Sequence, residues 1–176
     1  MQEVFFVSGA AASGKTTFAK VLATLRHLHI VDLDDSLEQT VADNQPILSE
    51  LGMEMFLSKM APERYKNLLE RAIEAFDEGK SLVIVAPFTQ QITDENLWRE
   101  IKKPFEDKGV IPKLVWVNIS NNLRAARLKG RGFKRDSGKV ADMALYIAKT
   151  NPQAPSVSHI NIDGSKDFSS QIKDNF

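Results

Sequence analysis

Cysteine, excess charge of either sign and long apolar runs are all missing from this chain of 176 residues. The lack of cysteine excludes disulfides and thiolate metal sites, and it fits a reducing cytoplasm. Basic and acidic residues number 23 each, so no net charge attracts the chain to nucleic acid or to an anionic membrane. No segment approaches the roughly 18 apolar residues of a membrane span, and the N-terminus lacks the pattern of a signal peptide. We therefore expect one cytoplasmic domain over residues 1–176, monomeric or homodimeric, whose partner is neither a membrane nor a nucleic acid.

What the chain does contain is a phosphate-binding pattern framed by glycines at residues 9–16. These residues read Gly-Ala-Ala-Ala-Ser-Gly-Lys-Thr, a full match to G-x-x-x-x-G-K-[ST]. Side chains at Gly9 and Gly14 would collide with a phosphate chain wrapped by such a loop, whereas backbone N–H groups and the next helix N-terminus attract it. Lys15 is expected on the β and γ phosphates, and the Thr16 hydroxyl on Mg²⁺. The pattern predicts a nucleotide site made by Gly9, Ala12, Ser13, Gly14, Lys15, Thr16 and Thr17.

Apolar runs typical of strands alternate with helical stretches along the chain. Strands are predicted at residues 4–8, 30–33, 82–86, 114–119 and 158–162. Helices are predicted at residues 15–25, 62–78, 93–108, 125–129 and 139–149. Pro62 suits a first helical turn, and residues 35–60 are expected to be helical with a break around Pro46. The alternation predicts a three-layer α/β fold whose five-stranded parallel sheet is covered by helices on both faces.

Three acidic residues, Asp32, Asp34 and Asp35, follow the second predicted strand. Neighbouring parallel strands open onto one crevice at their carboxyl ends, so these carboxylates should face the phosphate loop. Strand alternation puts Asp32 and Asp34 on the same side, whereas Asp35 could be only a helix N-cap. Phosphoryl transfer to an alcohol needs a base for the hydroxyl proton and an anionic partner for Mg²⁺. We expect Asp32 or Asp34 to act in catalysis, with the identity of the base open among the three.

A basic run follows the fourth predicted strand. Arg124, Arg127 and Arg131 fall at i, i+3 and i+7, which places them on one stripe of a helix beside several glycines. Such a stripe fits a lid over about residues 124–139 that closes on the triphosphate and neutralises charge on the transferred group. A solvated basic face or an RNA-binding patch is the alternative interpretation.

On these motifs the chain resembles the P-loop small-molecule and nucleotide kinases, the group that includes adenylate, shikimate and gluconate kinases. The resemblance rests on the loop at residues 9–16, the D-x-D at Asp32, the arginine run and Ile162-Asp163-Gly164-Ser165. The stretches at residues 86–89 and 131–139 are similar to those of small bacterial proteins known as predicted kinases.

The resemblance implies a P-loop NTPase fold with strand order 2-3-1-4-5, Mg·ATP as phosphate donor, and Asp34 as the base. It also implies that Arg127 and Arg131 are lid arginines, and we count Arg124 and Gly164 as nucleotide contacts. The third predicted strand ends without the acidic residue usual in such kinases, so metal support is expected from Asp32 together with Thr16. Ala12 stands where many relatives have glycine.

The acceptor site is expected in residues 35–71 and at the polar end of the third strand, at Thr89, Gln90 and Gln91. Arg64 could pair an anionic substrate, although a solvent-facing helical position is the more common explanation for such a residue. The sequence thus predicts an ATP-dependent kinase that phosphorylates a hydroxyl or phosphate group of a small molecule. Two alternatives stay open. One is an ATP-binding regulatory protein of the same fold with reduced turnover, and the other is a kinase that acts on an antibiotic or a polynucleotide.

Overall fold

A parallel five-stranded sheet with helices on both faces forms the protein, in a computed structural model that describes residues 2–131, 143–150 and 153–176. The strands are β1 Val4–Ser8, β2 His29–Asp32, β3 Leu82–Val85, β4 Lys113–Asn118 and β5 Ile160–Asp163. The helices are α1 Lys15–Arg26, α2 Leu37–Asp43, α3 Gln45–Asp77, α4 Glu95–Glu106, α5 Asn121–Arg131, α6 Met143–Lys149 and α7 Phe168–Asn175. A short 3-10 helix, Leu33–Ser36, joins β2 to α2.

The strand order is β2-β3-β1-β4-β5, and every neighbouring pair is parallel, which confirms the predicted fold. Because parallel strands share a direction, the segments that follow β1, β2 and β3 emerge at the same edge of the sheet. The register pairs Val85 with both Val7 and Asp32, so the phosphate loop and the acidic residues leave the sheet at one level.

Each face of the sheet has its own apolar core. Phe6 of β1 packs among residues of α3 and α4, whereas its neighbours Phe5 and Val7 pack with residues of α1 and α7. Alternate side chains of a strand point to opposite faces, so a strand covered on both sides needs a continuous apolar run. This requirement explains why the strands could be recognised as uninterrupted apolar segments.

Helix α3 differs most from the prediction. Pro62 was expected in a first helical turn, but it lies inside a helix that begins at Gln45, with Pro46 in the first turn. A buried stripe at i+4 spacing continues past the proline: Phe56, Met60, Arg64, Leu68, Ala72 and Phe76. Burial of this stripe outweighs the hydrogen bond that Pro62 cannot donate, and the proline itself faces solvent. The helix is bent instead at Gly52, whose φ of 72° and ψ of 166° are not helical.

Among the described residues, no helix has both the length and the apolar character needed to cross a membrane. The other predicted elements occur with boundaries shifted by a few residues, except that the helix predicted at residues 139–149 is described only over Met143–Lys149, and residues 139–142 lie outside the described part of the chain. In α4, for example, Asp94 caps the helix by accepting hydrogen bonds from the backbone N–H groups of Asn96 and Leu97.

Phe6 is the side chain on which we test the core. It is 0% exposed, and its ring meets Phe88, Trp98 and Phe105 edge-on at centroid distances of 5.3, 5.3 and 6.0 Å. Phe6→Ala should lower the free energy of unfolding by about 3–5 kcal/mol, because it removes buried area and leaves a cavity. Urea denaturation measures the change. Ile111→Ala is the control, since Ile111 is 79% exposed and its loss should change stability by less than about 0.5 kcal/mol. Equal effects of the two substitutions would contradict this description of the core.

Candidate active site

The loop between β1 and α1 is held too closely by other backbone segments to carry side chains at its glycines. A Cβ atom at Gly9 would lie 2.5 Å from both the Ser13 hydroxyl oxygen and the Val117 carbonyl oxygen. Gly14 has a φ of 103°, a conformation that favours glycine, and a Cβ there would lie 3.2 Å from the Phe168 ring. The glycines that we expected to make room for phosphate are therefore required by the protein itself.

Ser13 and Ala12 are buried in this loop in unusual states. The Ser13 hydroxyl has no hydrogen-bond partner among the described residues, although buried polar groups are nearly always paired. Ala12 is 1% exposed and has a φ of 67°, a left-handed conformation that costs about 1–2 kcal/mol for a residue other than glycine. A buried hydroxyl without a described partner and a strained backbone are both typical of ligand-binding sites. Both features fit a loop that binds an anion.

Asp32 ends β2 and links the acidic segment to the phosphate loop. Its carboxylate accepts hydrogen bonds from the Thr16 hydroxyl at 3.3 Å and from the Asp34 backbone N–H at 2.9 Å. Burial raises the pKa of Asp32 above its usual value, with further raising contributions from the charges of Asp34 and Asp35, while the Asp34 N–H and the charge of Lys15 lower it. Lys15 thus favours the charged form of this carboxylate, whereas burial opposes it.

Asp32 and Thr16 are suited to Mg²⁺. Their side-chain oxygens are hard ligands, and Mg²⁺ is usually bound by one or two protein groups while phosphates and water complete its shell. The described residues contain no group of three or more His, Cys, Asp or Glu side chains that could hold a metal alone. The donor set therefore fits a metal ion that shares its shell with a nucleotide.

Asp34 projects from the 3-10 helix with its side chain 48% exposed. Its carboxylate is contacted by Arg64 Nη2 at 3.4 Å, and the same nitrogen donates to the Leu33 carbonyl at 3.0 Å. Arg64 is only 7% exposed, so the interpretation of it as a solvent-facing residue is wrong. Its position on the buried stripe of α3 turns it toward the sheet, and its Nε has no hydrogen-bond partner among the described residues.

Asp35 is not the helix N-cap that it was expected to be: Asp32 caps the 3-10 helix, and Asp35 is the third residue of that helix and completes a capping box with it. Its carboxylate accepts a hydrogen bond from the Asp32 N–H at 3.2 Å and lies 3.6 Å from Arg71 Nη1. Arg71 also donates to the Asp32 carbonyl at 2.9 Å. Arg71 was not among the predicted site residues, because a partly exposed arginine on a helix has no local signature.

Two of the predicted arginines, Arg124 and Arg127, lie against the phosphate loop. Arg124 is 1% exposed and donates to the Ala11 carbonyl, and Arg127 donates to the Ser13 carbonyl at 3.0 Å and to the Gly164 carbonyl at 2.7 Å. Arg131 ends α5, and its side chain and residues 132–139 of the predicted lid lie outside the described part of the chain.

Gly164 approaches the loop from the segment after β5. A Cβ there would lie 2.3 Å from the Ser13 carbonyl oxygen, so no other residue fits. The predicted nucleotide-binding roles of Arg124 and Gly164 stay predictions, and the structure shows that both residues touch the phosphate loop.

A cavity of about 340 Å³ opens beside the first residues of the loop. Its wall includes Gly9, Ala10, Pro87, Ile92 and Trp116 together with the polar residues Thr89, Thr93, Arg124, Tyr146, Thr150 and Gln153. This volume is within the range of small-molecule sites. The part of the third-strand end that we expected to bind the acceptor, at Thr89, is therefore in the cavity wall.

Tyr65 supports the same wall from α3, a role that the sequence did not reveal. Its hydroxyl accepts a hydrogen bond from the Phe88 N–H at 2.9 Å, and Phe88 has a φ of 47°. Burial raises the pKa of Tyr65 to about 12. The tyrosine thus stays protonated at neutral pH and fixes the turn that follows β3.

Comparison with known proteins agrees with this architecture. A model of the AAA domain family matches residues 4–148. Adenylate kinase 1 of Nostoc sp. is 24% identical over 144 residues, which cover 81% of this chain and 77% of that protein. A sugar kinase from Janibacter sp. has a TM-score of 0.63 at 17% identity, covering 99% of this chain and 92% of the other. Shikimate kinase from Acinetobacter baumannii, in complex with shikimate, has a TM-score of 0.60 at 19% identity, with coverages of 99% and 90%. The resemblance to P-loop kinases predicted from the motifs is confirmed.

The raised pKa of Asp32 yields a prediction about stability. Folding favours the protonated form of this carboxyl, so its charged form destabilises the native state at pH values above the raised folded pKa. That destabilisation should disappear as the pH falls from the folded pKa to the ordinary value of 3.8. Asp32→Asn should accordingly raise the free energy of unfolding at neutral pH, and its advantage over the wild type should vanish in acid.

Asp167→Asn is the matched control, measured by the same urea denaturation at several pH values without nucleotide or metal. Asp167 caps α7, and the Ser170 N–H lowers its pKa, so loss of its charge should stabilise the protein at no pH. A loss of stability in Asp32→Asn at neutral pH would contradict the conclusion that Asp32 is a desolvated carboxylate.

Proposed function

The chain belongs to the AAA domain family, and from that premise we propose that it is an ATP-dependent kinase that phosphorylates a hydroxyl or phosphate group of a small molecule. The observation that carries the proposal is the contact between the two halves of the predicted site. The Thr16 hydroxyl, at the start of α1, lies 3.3 Å from the Asp32 carboxylate at the end of β2. A phosphate donor and a carboxylate base would thus meet at one edge of the sheet.

The phosphate chain of ATP would lie in the loop at residues 9–16. Support comes from the glycines that keep the loop narrow, the orphan Ser13 hydroxyl, and Lys15 at the N-terminus of α1. Thr16 and Asp32 would hold Mg²⁺, which when bound neutralises charge on the phosphate oxygens. Thr17, in the first turn of the same helix, completes the proposed nucleotide contacts.

Asp32 is placed to replace the acid that β3 lacks. In the sheet it lies directly opposite Val85, the last residue of β3. A carboxylate on the neighbouring strand therefore reaches the level at which a β3 acid would stand. This register supports an active kinase over a form that lost its metal site.

Asp34 would accept the proton of the acceptor hydroxyl. Its side chain is half-exposed at the opening of the crevice, whereas Asp32 is buried and bonded to Thr16. Arg64 holds the Asp34 carboxylate from the side of α3. A base must be reachable by substrate and fixed in orientation, and Asp34 meets both conditions. The Asp35 carboxylate is also exposed, but it is engaged by the Asp32 N–H and by Arg71.

The arginines of α5 would act on the donor side. Arg131 and the basic residues that follow it are proposed to close over the transferring phosphoryl group, as a lid arginine does. Arg127 donates to the Gly164 carbonyl, so it lies where the segment after β5 meets the phosphate loop.

The acceptor is a small molecule in this proposal. The cavity beside Gly9 has the size of a small-molecule site and is continuous with the start of the phosphate loop. Adenylates, sugars and shikimate, which the related kinases carry in their names, are the first acceptors to test, followed by hydroxylated antibiotics. The charge balance of the chain gives no support to a polynucleotide acceptor.

Asp34→Asn tests the chemistry. Loss of the base should lower kcat by a factor on the order of 10² or more, because general-base catalysis contributes about that much. The affinity for Mg·ATP should stay within a few-fold of the wild type, since the role proposed for Asp34 is to accept the acceptor's proton and not to hold the phosphates. Coupled ADP release across an acceptor panel gives kcat, and calorimetry gives the affinity.

Asp43→Asn serves as the control for that change, because this carboxylate ends α2 and its only described partner is Gln39. Turnover by Asp34→Asn equal to that of the control would rule out Asp34 as the base. A wild type that binds Mg·ATP and releases no ADP with any acceptor would instead favour the regulatory alternative.

A further inference from the structure

Two arginines of α5 hold three successive carbonyl groups of the phosphate loop. Arg124 Nε donates to the Ala11 carbonyl at 3.2 Å. Arg127 Nη1 donates to the Ser13 carbonyl at 3.0 Å and, more weakly, to the Ala12 carbonyl at 3.4 Å. The two arginines thus bind the loop through the carbonyl groups on one of its sides.

These hydrogen bonds determine the direction of the backbone N–H groups of the loop. In a planar trans peptide, the C=O of one residue and the N–H of the next point in opposite directions. With the carbonyls of Ala11, Ala12 and Ser13 turned to the arginines, the N–H groups of Ala12, Ser13 and Gly14 point away from them. The Ser13 N–H donates to the Ala10 carbonyl at 3.1 Å and tightens the turn. The geometry therefore turns the amides of Ala12 and Gly14 to the side opposite the arginines, which is where we expect an anion to bind.

Each arginine is itself anchored to another segment. Arg124 Nη1 donates to the Thr150 carbonyl at 3.0 Å, Nη2 donates to the Thr150 hydroxyl at 2.6 Å, and the guanidinium lies 5.2 Å from the ring centroid of Tyr146. Arg127 Nη2 donates to the Gly164 carbonyl. The loop is consequently tied to the residues after α6 by one arginine and to the residues after β5 by the other.

Burial of the Arg124 guanidinium is costly for the stability of the fold, which points to a functional role. A guanidinium that is 1% exposed has lost its hydration, which costs several kcal/mol unless a carboxylate compensates it. The described partners of Arg124 are two carbonyls, one hydroxyl and one aromatic ring. A cation on the outer side of a peptide also polarises it, so that its N–H becomes a stronger donor on the inner side.

We propose that Arg124 and Arg127 are positioning residues that set the amides of the phosphate loop for an anion before any nucleotide binds. This rests on the proposed function, because it concerns the same nucleotide site. It differs from a lid role, in which an arginine contacts the transferred group and acts in the transition state. Amides that already point in the required direction strengthen the binding of any phosphate chain in the ground state, since the loop loses less conformational freedom when the ligand binds.

The experiment is calorimetric titration of the full chain with Mg·ATP and, separately, with magnesium and inorganic tripolyphosphate. Tripolyphosphate has no adenine and undergoes no transfer here, so its affinity depends on the phosphate loop and not on contacts to a nucleoside. Arg124→Met should weaken both ligands by the same factor, about tenfold or more, which corresponds to the loss of a charged hydrogen bond. Arg99→Met is the control, because Arg99 is an exposed arginine on α4 bonded to Asn96.

Thr150→Val keeps the proposal testable if Arg124→Met does not fold. The Thr150 hydroxyl donates to the Tyr146 carbonyl and accepts from Arg124, so its removal should weaken tripolyphosphate binding through Arg124. The double variant Arg124→Met with Thr150→Val should bind no more weakly than Arg124→Met. Arg124→Lys retains the charge and loses the fork, so it should not restore wild-type affinity.

Unchanged affinity for tripolyphosphate in Arg124→Met or Thr150→Val, full recovery in Arg124→Lys, or a wild type that binds neither ligand would each overturn the inference. Loss of ATP affinity with tripolyphosphate affinity retained would also overturn it and would indicate a contact to the nucleoside. Weakened tripolyphosphate binding in a protein that transfers phosphate to no acceptor would support the inference and count against the kinase proposal alone.

Discussion

Close packing of backbone against backbone around residues 9–14 is the constraint on which the site depends. The loop after β1 lies between the end of β4 and the segment after β5, so near that a Cβ at Gly9 or Gly164 would overlap a carbonyl oxygen at 2.5 or 2.3 Å. No side chain fits at Gly9 or Gly164, so at these positions the loop and its neighbour present only backbone groups, which are oriented dipoles. The loop can therefore bind an anion through amides whose directions the surrounding fold determines.

The acidic edge is joined to this loop through one carboxylate. Asp32 accepts from the Thr16 hydroxyl on one side and from the Asp34 N–H on the other, so it connects the start of α1 with the 3-10 helix after β2. Burial opposes the charge that this role requires, and the pKa of Asp32 rises as a result. Carboxylates whose charged form is destabilised by burial are typical of functional sites. At such sites a lower stability of the fold is tolerated because a metal or substrate needs the group.

The sequence was sufficient for the sheet and for the phosphate loop because both depend on local patterns. A strand buried on two faces is a continuous apolar run, and a loop without room for side chains must place glycine at fixed spacing. Asp32 and Asp34 could be found because parallel topology brings strand ends together.

Features that arise from long-range contacts could not be predicted in the same way. Pro62 was placed at a helix start because the stripe that carries α3 past it is set by packing on the sheet. The burial of Arg64 follows from that same stripe. The arginines of α5 were predicted to belong to a lid, whereas the attachment of Arg124 and Arg127 to loop carbonyls depends on how α5 docks, which spacing along one helix does not encode.

A crystal structure of the protein with Mg²⁺ and a non-hydrolysable ATP analogue tests the central claim most directly. We expect the β phosphate inside the loop, within hydrogen-bond distance of the Gly14 amide and the Lys15 ammonium, and the metal bonded to the Thr16 hydroxyl. A nucleotide bound elsewhere, with the loop in the same conformation and its amides turned away from the phosphates, would contradict it.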